Sequence, residues 1–381
     1  RKEEGGRQNI LFLQGDEPYH VKFAAPSHMP TKVDLRWNFR SGHANEMVLG
    51  SSSGSMLYWF DVVANKVTRS WDFSTLNPPR TIQGLGMSKG NTSFDGRFIA
   101  LSDSTGKMFI VDMDPQSPFS QDQQRIGPVY DLSADNIPYT VSTVSLSPSG
   151  KYVLVHYIGD YLRVFDVNPT TLALTPRKMQ VSYPGQDGSP DDGFIYEVGH
   201  LDMTLDPFDN NEDVVVGQEH ARNVESTIPG IHTFSRNGIG HVVKVRLRDN
   251  RVVSLTDPGT KTTNGLPKEA AADHISAQNT ERLGWVYVSY FNKPGLRFDD
   301  EIVALKIDGS GTVERLAHSH SDNDNNNLPE VALDSDFGYR SETHPVPSLD
   351  GKRVMFASNW LYNSSGTQDR QGIQDYIIDT R

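Results

Sequence analysis

A short phrase recurs along this chain, in which Ser precedes Gly by three positions and a run of β-forming residues follows. It stands at residues 93–100, 147–154 and 348–356. Glycine at this place supplies the positive φ that a tight turn between antiparallel strands requires. A second strand-like run follows each phrase, so each recurrence predicts a β-hairpin.

The hairpins return at intervals of about 45 to 75 residues, a period typical of repeats that bury their faces only against their neighbours. We therefore predict an all-β fold, with one β-propeller domain over residues 1–381 and four-stranded antiparallel blades. Seven blades are expected, with six as the alternative. A sandwich of two sheets is disfavoured, because it would not produce this recurrence.

The predicted blades span residues 31–80, 81–135, 136–190, 191–265, 266–325 and 326–381. Residues 10–25 carry further strands, which form either a reduced seventh blade or a closure of the ring. In the closure, residues 1–25 pair with the last blade near residues 375–379. Two insertions, residues 219–240 and 319–339, interrupt the repeat, and long loops on a rigid scaffold commonly carry binding sites.

The composition narrows the range of partners. The formal net charge is −12 at pH 7, and the chain has no cysteine. An acidic balance argues against nucleic acid as a partner, since phosphate binding needs a basic surface, and the lack of cysteine excludes thiolate chemistry. No apolar run is long enough for a spanning helix. Residue 1 is Arg rather than Met, and we expect a removed signal peptide, a secreted or periplasmic location and a monomer.

Three histidines occupy the same position in successive predicted blades, just before the first strand. They are His200, His274 and His344, from a total of 12 histidines in the chain. Equivalent positions of successive blades converge on the central channel of a propeller. Imidazoles meeting there can hold a divalent metal ion or act as a general base near neutral pH. For any single histidine, a packed and hydrogen-bonded structural role is the alternative.

Four further residues are candidates for the same site. Gln278 follows His274 and offers an amide oxygen as a metal ligand, while Arg222 and Arg340 can pair with a carboxylate. Tyr339 is a candidate general acid. An ordinary structural role remains the alternative for each, such as a pairing of Arg222 with the nearby Glu225.

At these residues the chain resembles a known group of propellers. Residues 196–200, followed by residues 206–217, resemble the Gly-His segment of oligogalacturonate lyases. Residues 284–290 and 342–360 are similar to stretches of exported TolB-like propellers, which include the ulvan lyases of marine bacteria. The resemblance extends over residues 190–381.

The resemblance implies a polysaccharide lyase in which His200 is the base. His274 and His344 match later histidines, which hold a divalent metal in those enzymes. Pro345 and Val346 follow His344, so the His-x-His pair of the oligogalacturonate lyases has no counterpart there.

The leading functional prediction is cleavage of a uronic-acid polysaccharide by β-elimination. This reaction needs a base at C5, a cation at the substrate carboxylate and an acid for the leaving oxygen. His200 is the predicted base, and Tyr339 is the predicted acid. His274 and His344 are predicted to surround the substrate carboxylate or a metal ion. Arg222 or Arg340 is predicted to neutralise that carboxylate. A non-catalytic TolB-like propeller that binds glycans or proteins is the alternative. A propeller hydrolase ranks last, because the sequence shows no clear pair of convergent carboxylates.

Overall fold

The computed structural model describes a few N-terminal strands and most of the chain after residue 32. The described ranges are 3–4, 7–14, 17–22, 33–51, 54–83, 91–103, 105–114, 126–135, 137, 140–158, 161–177, 194–195, 198–219, 241–256, 269–292, 294–321, 342–358 and 374–380. Strands dominate these residues, and none of their helices has the length and apolar character needed to span a membrane.

The chain divides into two compact units, residues 1–159 with 163–177 and residues 160–162 with 178–381. Four sheets lie mainly in the first unit. The N-terminal sheet contains β1 (Glu3–Glu4), β2 (Arg7–Gln14) and β3 (Glu17–Lys22). Blade 1 contains β4 (Val33–Trp37), β5 (Glu46–Ser51), β6 (Met56–Asp61) and β7 (Lys66–Asp72).

Blade 2 contains β8 (Phe98–Ser102), β9 (Lys107–Asp112) and β10 (Tyr130–Asp131). Blade 3 contains β11 (Val141–Leu146), β12 (Tyr152–Tyr157), β13 (Tyr161–Val167) and β14 (Leu174–Pro176). Two short 3₁₀ helices, Phe73–Thr75 and Leu132–Asp135, follow β7 and β10.

The second unit contains three sheets and the short strand β15 (Phe194–Ile195). Blade 4 contains β16 (Val198–Asp206), β17 (Glu212–Glu219), β18 (Val242–Arg246) and β19 (Val252–Ser254). Blade 5 contains β20 (Ala272–Ser276), β21 (Trp285–Tyr290), β22 (Glu301–Lys306) and β23 (Val313–His318). Blade 6 contains β24 (Val346–Pro347), β25 (Arg353–Ser358) and β26 (Gln374–Asp379).

The predicted all-β propeller with antiparallel, four-stranded blades is confirmed. Among the described residues, each of the six predicted blade ranges holds one sheet whose strands follow the order of the chain. The described residues therefore show six blades, the smaller of the two expected numbers, together with a separate N-terminal sheet. The prediction of a single domain over residues 1–381 stays a prediction.

The described N-terminal strands pair with one another, and the predicted pairing of residues 1–25 with the last blade stays a prediction. Strand β2 pairs with β1 and β3, and β26 pairs with β25. A local hairpin closes a short loop, so the entropy cost of closing it is small. The N-terminal residues therefore form a sheet of their own.

The recurring Ser-to-Gly phrase folds as a turn closed by the serine hydroxyl. In blade 2, Ser93 Oγ accepts a hydrogen bond from the amide of Phe98 at 2.9 Å and donates to Asp95 at 2.5 Å. Gly96 has a φ of 68°, in the left-handed region that glycine enters without steric cost. The same serine-to-amide bond joins Ser147 with Tyr152 in blade 3 and Ser348 with Arg353 in blade 6.

Blade 5 packs its two faces against different neighbours. Successive side chains of a strand point to opposite faces of the sheet, and β21 and β22 follow this rule. One set packs in a core with blade 4, and the other packs against blade 6. The first set includes Val286, Val288, Val303 and Leu305, and the second includes Tyr287, Ile302 and Ala304.

A buried cation fastens blade 4 to blade 5. Lys244 on β18 donates from Nζ to Asp206 Oδ2 at 2.5 Å and to the carbonyl of Ile307 at 2.6 Å. The side chains of Lys244 and Asp206 are 10% and 1% exposed. Because both charges are removed from water, each depends on the other for compensation.

Replacement of Lys244 by Ala is expected to lower the free energy of unfolding by about 3 to 5 kcal/mol, since it leaves a buried carboxylate without its cation. Urea denaturation measures the change. Lys352, which is 60% exposed and 3.7 Å from Asp350, gives a matched control. Its replacement by Ala should cost less than about 1 kcal/mol. Equal losses in the two variants would contradict a structural role for the buried pair.

Candidate active site

The three histidines predicted to converge lie together in the second unit. His200 lies on β16, His274 lies on β20, and His344 lies two residues before β24. The ring centroids of His200 and His274 are 4.4 Å apart, and those of His274 and His344 are 3.6 Å apart. Interplanar angles of 13° and 29° make them a stacked column. The predicted convergence of the imidazoles is confirmed.

Two β-bulges aim the first two rings. The register of β16 against β17 shifts between Gly199 and Asp202, and that of β20 against β21 shifts between Ala272 and Ile275. A bulge inserts an extra residue into one strand and re-aims its side chain. His200 also has a φ of 47°, which costs a residue with a Cβ on the order of 1 kcal/mol or more. Such local strain is common at functional sites.

The contact between His200 and blade 5 fixes the position of its proton. His200 Nδ1 lies 2.5 Å from the backbone oxygen of Asp273. A carbonyl oxygen only accepts hydrogen bonds, so Nδ1 carries the hydrogen. In the neutral ring, Nε2 is then the nitrogen with the lone pair. The side chain of His200 is 32% exposed, so solvent reaches the ring.

Two carboxylates that sequence reasoning missed contact the column. Asp273 is fully buried, and its Oδ1 lies 3.4 Å from His274 Nε2 and 3.8 Å from His200 Nδ1. Glu342 Oε2 lies 2.9 Å from His274 Nε2. Their positions next to the histidines could have indicated both carboxylates, since Asp273 directly precedes His274 and Glu342 lies two residues before His344.

A third carboxylate ties Gln278 to blade 4. The amide nitrogen of Gln278 donates to both oxygens of Asp202 at 2.8 Å, and the backbone amide of Ala277 donates to Asp202 Oδ2 at 2.8 Å. Gln278 was predicted as a metal ligand, and its described bonds are those of an amide anchored to a buried carboxylate. Asp202 lies two residues after His200, so this contact also joins β16 to the end of β20.

Two overlapping groups of side chains in this cluster can hold a metal ion. The first is His200, Asp273 and His274, and the second is His274, Glu342 and His344. In each group the ligand atoms lie within 4.8 Å of one another. Imidazole nitrogen combined with carboxylate oxygen suits divalent first-row metals. Arg222, Tyr339 and Arg340 lie outside the described residues, so their predicted roles stay predictions.

No family model and no curated protein matches this chain. Solved structures do match it. Sqt1 from Chaetomium thermophilum is 11% identical with a TM-score of 0.50, covering 92% of this chain and 74% of that one. The beta-propeller domain of Cps50 (Swd1) from Myceliophteria thermophila is 11% identical with a TM-score of 0.44, covering 91% and 82%.

A putative 6-phosphogluconolactonase from Bacteroides fragilis is 13% identical with a TM-score of 0.42, covering 93% of this chain and 88% of that one. At these identities the likeness shows a propeller fold alone. Propellers serve many unrelated functions, so the function has to be argued from the site.

The Asp273 carbonyl leads to a prediction about the His200 ring. We expect the neutral imidazole of His200 to carry its hydrogen on Nδ1, and Nε2 to show the chemical shift of an unprotonated nitrogen. Long-range proton–nitrogen correlation spectra of protein labelled at histidine nitrogen measure this. His200→Asn, in which one set of signals disappears, assigns the resonance. A spectrum with the hydrogen on Nε2 would contradict the proposed hydrogen bond.

Proposed function

We propose that the chain is a polysaccharide lyase that cleaves a uronic-acid-containing polymer by β-elimination. One observation carries the proposal: a solvent-accessible imidazole with a fixed Nδ1 hydrogen stacks on a cluster of histidines and carboxylates suited to a divalent cation. Because polymeric substrates do not cross membranes, the proposal includes a secreted or periplasmic location.

His200 has the features that the proposed base requires. Its Nδ1 hydrogen is engaged by the carbonyl of Asp273, so proton transfer falls to Nε2. An unperturbed imidazole has a pKa of about 6.5 and exchanges protons efficiently near neutral pH. The bulge and the left-handed φ set the direction in which the side chain leaves the backbone, and the bond to the Asp273 carbonyl orients the ring. This order lowers the entropy cost of orienting the base during the reaction.

The negative charges of the cluster favour binding of a cation and oppose binding of a polyanion unless that cation is present. Asp202, Asp273 and Glu342 are buried, and the last two lie within 4 Å of histidine nitrogens. When these carboxylates are ionised, they repel an incoming uronate unless positive charge is present. Ligand atoms of His274, Glu342 and His344 lie within 4.8 Å of one another, so these residues are the proposed holders of a divalent metal ion.

A divalent cation bound there supplies positive charge to neutralise a uronate carboxylate, which makes the adjacent C5 proton more acidic. His200 Nε2 takes the C5 proton as the bond from C4 to the leaving oxygen breaks, and a double bond forms between C4 and C5. The leaving oxygen takes up a proton from a general acid, for which Tyr339 is the proposed residue. Arg222 or Arg340 is proposed to assist in holding the carboxylate, and Gln278 is retained as a proposed additional ligand.

The proposed base can be tested with His200→Asn. Asn tolerates a positive φ better than other residues with a side chain, so this replacement removes the imidazole and spares the bulge. The rate of elimination on uronic polymers should fall by about 100- to 10,000-fold, as expected for loss of a general base. The ultraviolet absorbance of the unsaturated uronate product measures the rate.

His320→Asn is the matched control, because His320 also has a positive φ, at 50°, and its ring lies near that of His318. It should retain the wild-type rate. Full activity of His200→Asn would remove the base assignment. If the wild type binds uronic polymers but never produces the unsaturated product, the non-catalytic glycan-binding function replaces the lyase.

The proposed metal site gives a second expected outcome. Wild-type protein should bind one divalent cation per chain, and Glu342→Gln should weaken that binding by at least about tenfold, because it removes the charge and keeps the size of the ligand. Calorimetric titration with Mn²⁺ or Zn²⁺ into protein stripped by a chelator measures the affinity. Glu314→Gln, at an exposed ion pair with Arg282, should leave the affinity unchanged. Equal affinity of the wild type and Glu342→Gln would contradict the assignment.

A further inference from the structure

The strand β21 presents two hydroxyl groups to blade 6. Tyr287 and Ser289 are two residues apart, so their side chains lie on the same face of the sheet. That face is the one that packs against blade 6. Both residues are fully buried, and each hydroxyl donates to a backbone carbonyl of blade 6 or of the segment just before it.

Ser289 touches both histidine-bearing segments of the proposed metal site. Its Oγ accepts a hydrogen bond from the amide of His274 at 3.1 Å and donates one to the carbonyl of Thr343 at 2.5 Å. Thr343 is the residue between Glu342 and His344. One hydroxyl group therefore connects the backbone of one proposed ligand directly to the segment that carries the other two.

The bulge in β20 explains why a side chain is needed at this point. Strand β20 pairs with β21 at Ala272, Ile275 and Ser276, and the register shifts between Ala272 and Ile275. The amide of His274 therefore lies in the irregular part of the ladder. A buried amide without an acceptor is costly, and the Ser289 hydroxyl supplies the acceptor.

We propose that Ser289 is a positioning residue that sets the separation between His274 and the Glu342–His344 segment, and thereby the metal affinity of the site. This inference rests on the proposed metal site. The hydrogen bonds of Ser289 join the backbone of His274 and of Thr343 rather than a ligand atom, so its effect on a metal passes through the placement of the ligand residues.

Tyr287 offers a matched control on the same face of β21. Its hydroxyl donates to the carbonyl of Gly351 at 2.7 Å, so it joins the same two blades at the hairpin turn between β24 and β25. Tyr287→Phe removes one buried hydroxyl between blades 5 and 6, as Ser289→Ala does, but it leaves the histidine segments untouched.

The experiment compares Co²⁺ binding by wild type, Ser289→Ala, Ser289→Thr and Tyr287→Phe, each stripped of metal first. Titration gives the affinity, and the visible absorption of bound Co²⁺ reports the ligand geometry. Ser289→Ala should bind Co²⁺ about tenfold to 100-fold more weakly, the range typical for loss of a residue that orients metal ligands, with an altered spectrum. Ser289→Thr restores the hydroxyl and should recover most of the affinity. Tyr287→Phe should keep the wild-type affinity and spectrum.

Each result decides between distinct conclusions. Wild-type affinity and spectrum in Ser289→Ala would overturn the positioning role and leave the proposed metal site standing. Equal weakening in Tyr287→Phe would also overturn it, because the effect would then be a general loosening of the two blades. Failure of the wild type to bind Co²⁺, Mn²⁺ and Zn²⁺ would overturn the metal site and the inference that depends on it.

Discussion

Side chains that donate hydrogen bonds to backbone carbonyls of the next blade hold the second unit in register. His200 and Lys244 of blade 4 donate to carbonyls of Asp273 and Ile307. Tyr287 and Ser289 of blade 5 donate to carbonyls of Gly351 and Thr343. Hydrophobic packing between sheets is non-directional, so it brings blades together without setting their alignment. These directional bonds supply the alignment on which the histidine column depends.

The sequence predicted the parts of the fold that are encoded locally. The Ser-to-Gly phrase is a complete turn, with a hydroxyl that accepts an amide five residues later and a glycine at positive φ. Each occurrence therefore predicts a hairpin from local residues alone. The spacing of these hairpins then predicted the blade ranges. His200, His274 and His344 occupy the equivalent position of successive blades. Their convergence could be predicted because equivalent positions of a repeat occupy equivalent places in the fold.

Contacts between blades could not be predicted from the sequence in the same way. Nothing in the residues around Asp202 identifies Gln278 as its partner 76 positions later. The carboxylates of Asp273 and Glu342 escaped notice because acidic residues are abundant in this chain, with Asp and Glu numbering 48. The left-handed backbone of His200 was equally hidden, since a bulge depends on the pairing of two strands. The pairing of the N-terminal strands with one another could not be predicted either, because alternation alone does not specify a partner.

Gly351 shows how a buried residue in a hairpin turn can govern the side chains of the neighbouring blade. A Cβ at this glycine would lie 2.2 Å from the Tyr287 hydroxyl and 2.7 Å from Arg282 Cδ. Tyr287 is fully buried, so it has little room to retreat, and the strand that carries it also carries Ser289. Tolerance to mutation at this turn is therefore set by the fit between two blades rather than by turn geometry alone. In a family of related chains, residues 287 and 351 would be expected to change together or not at all.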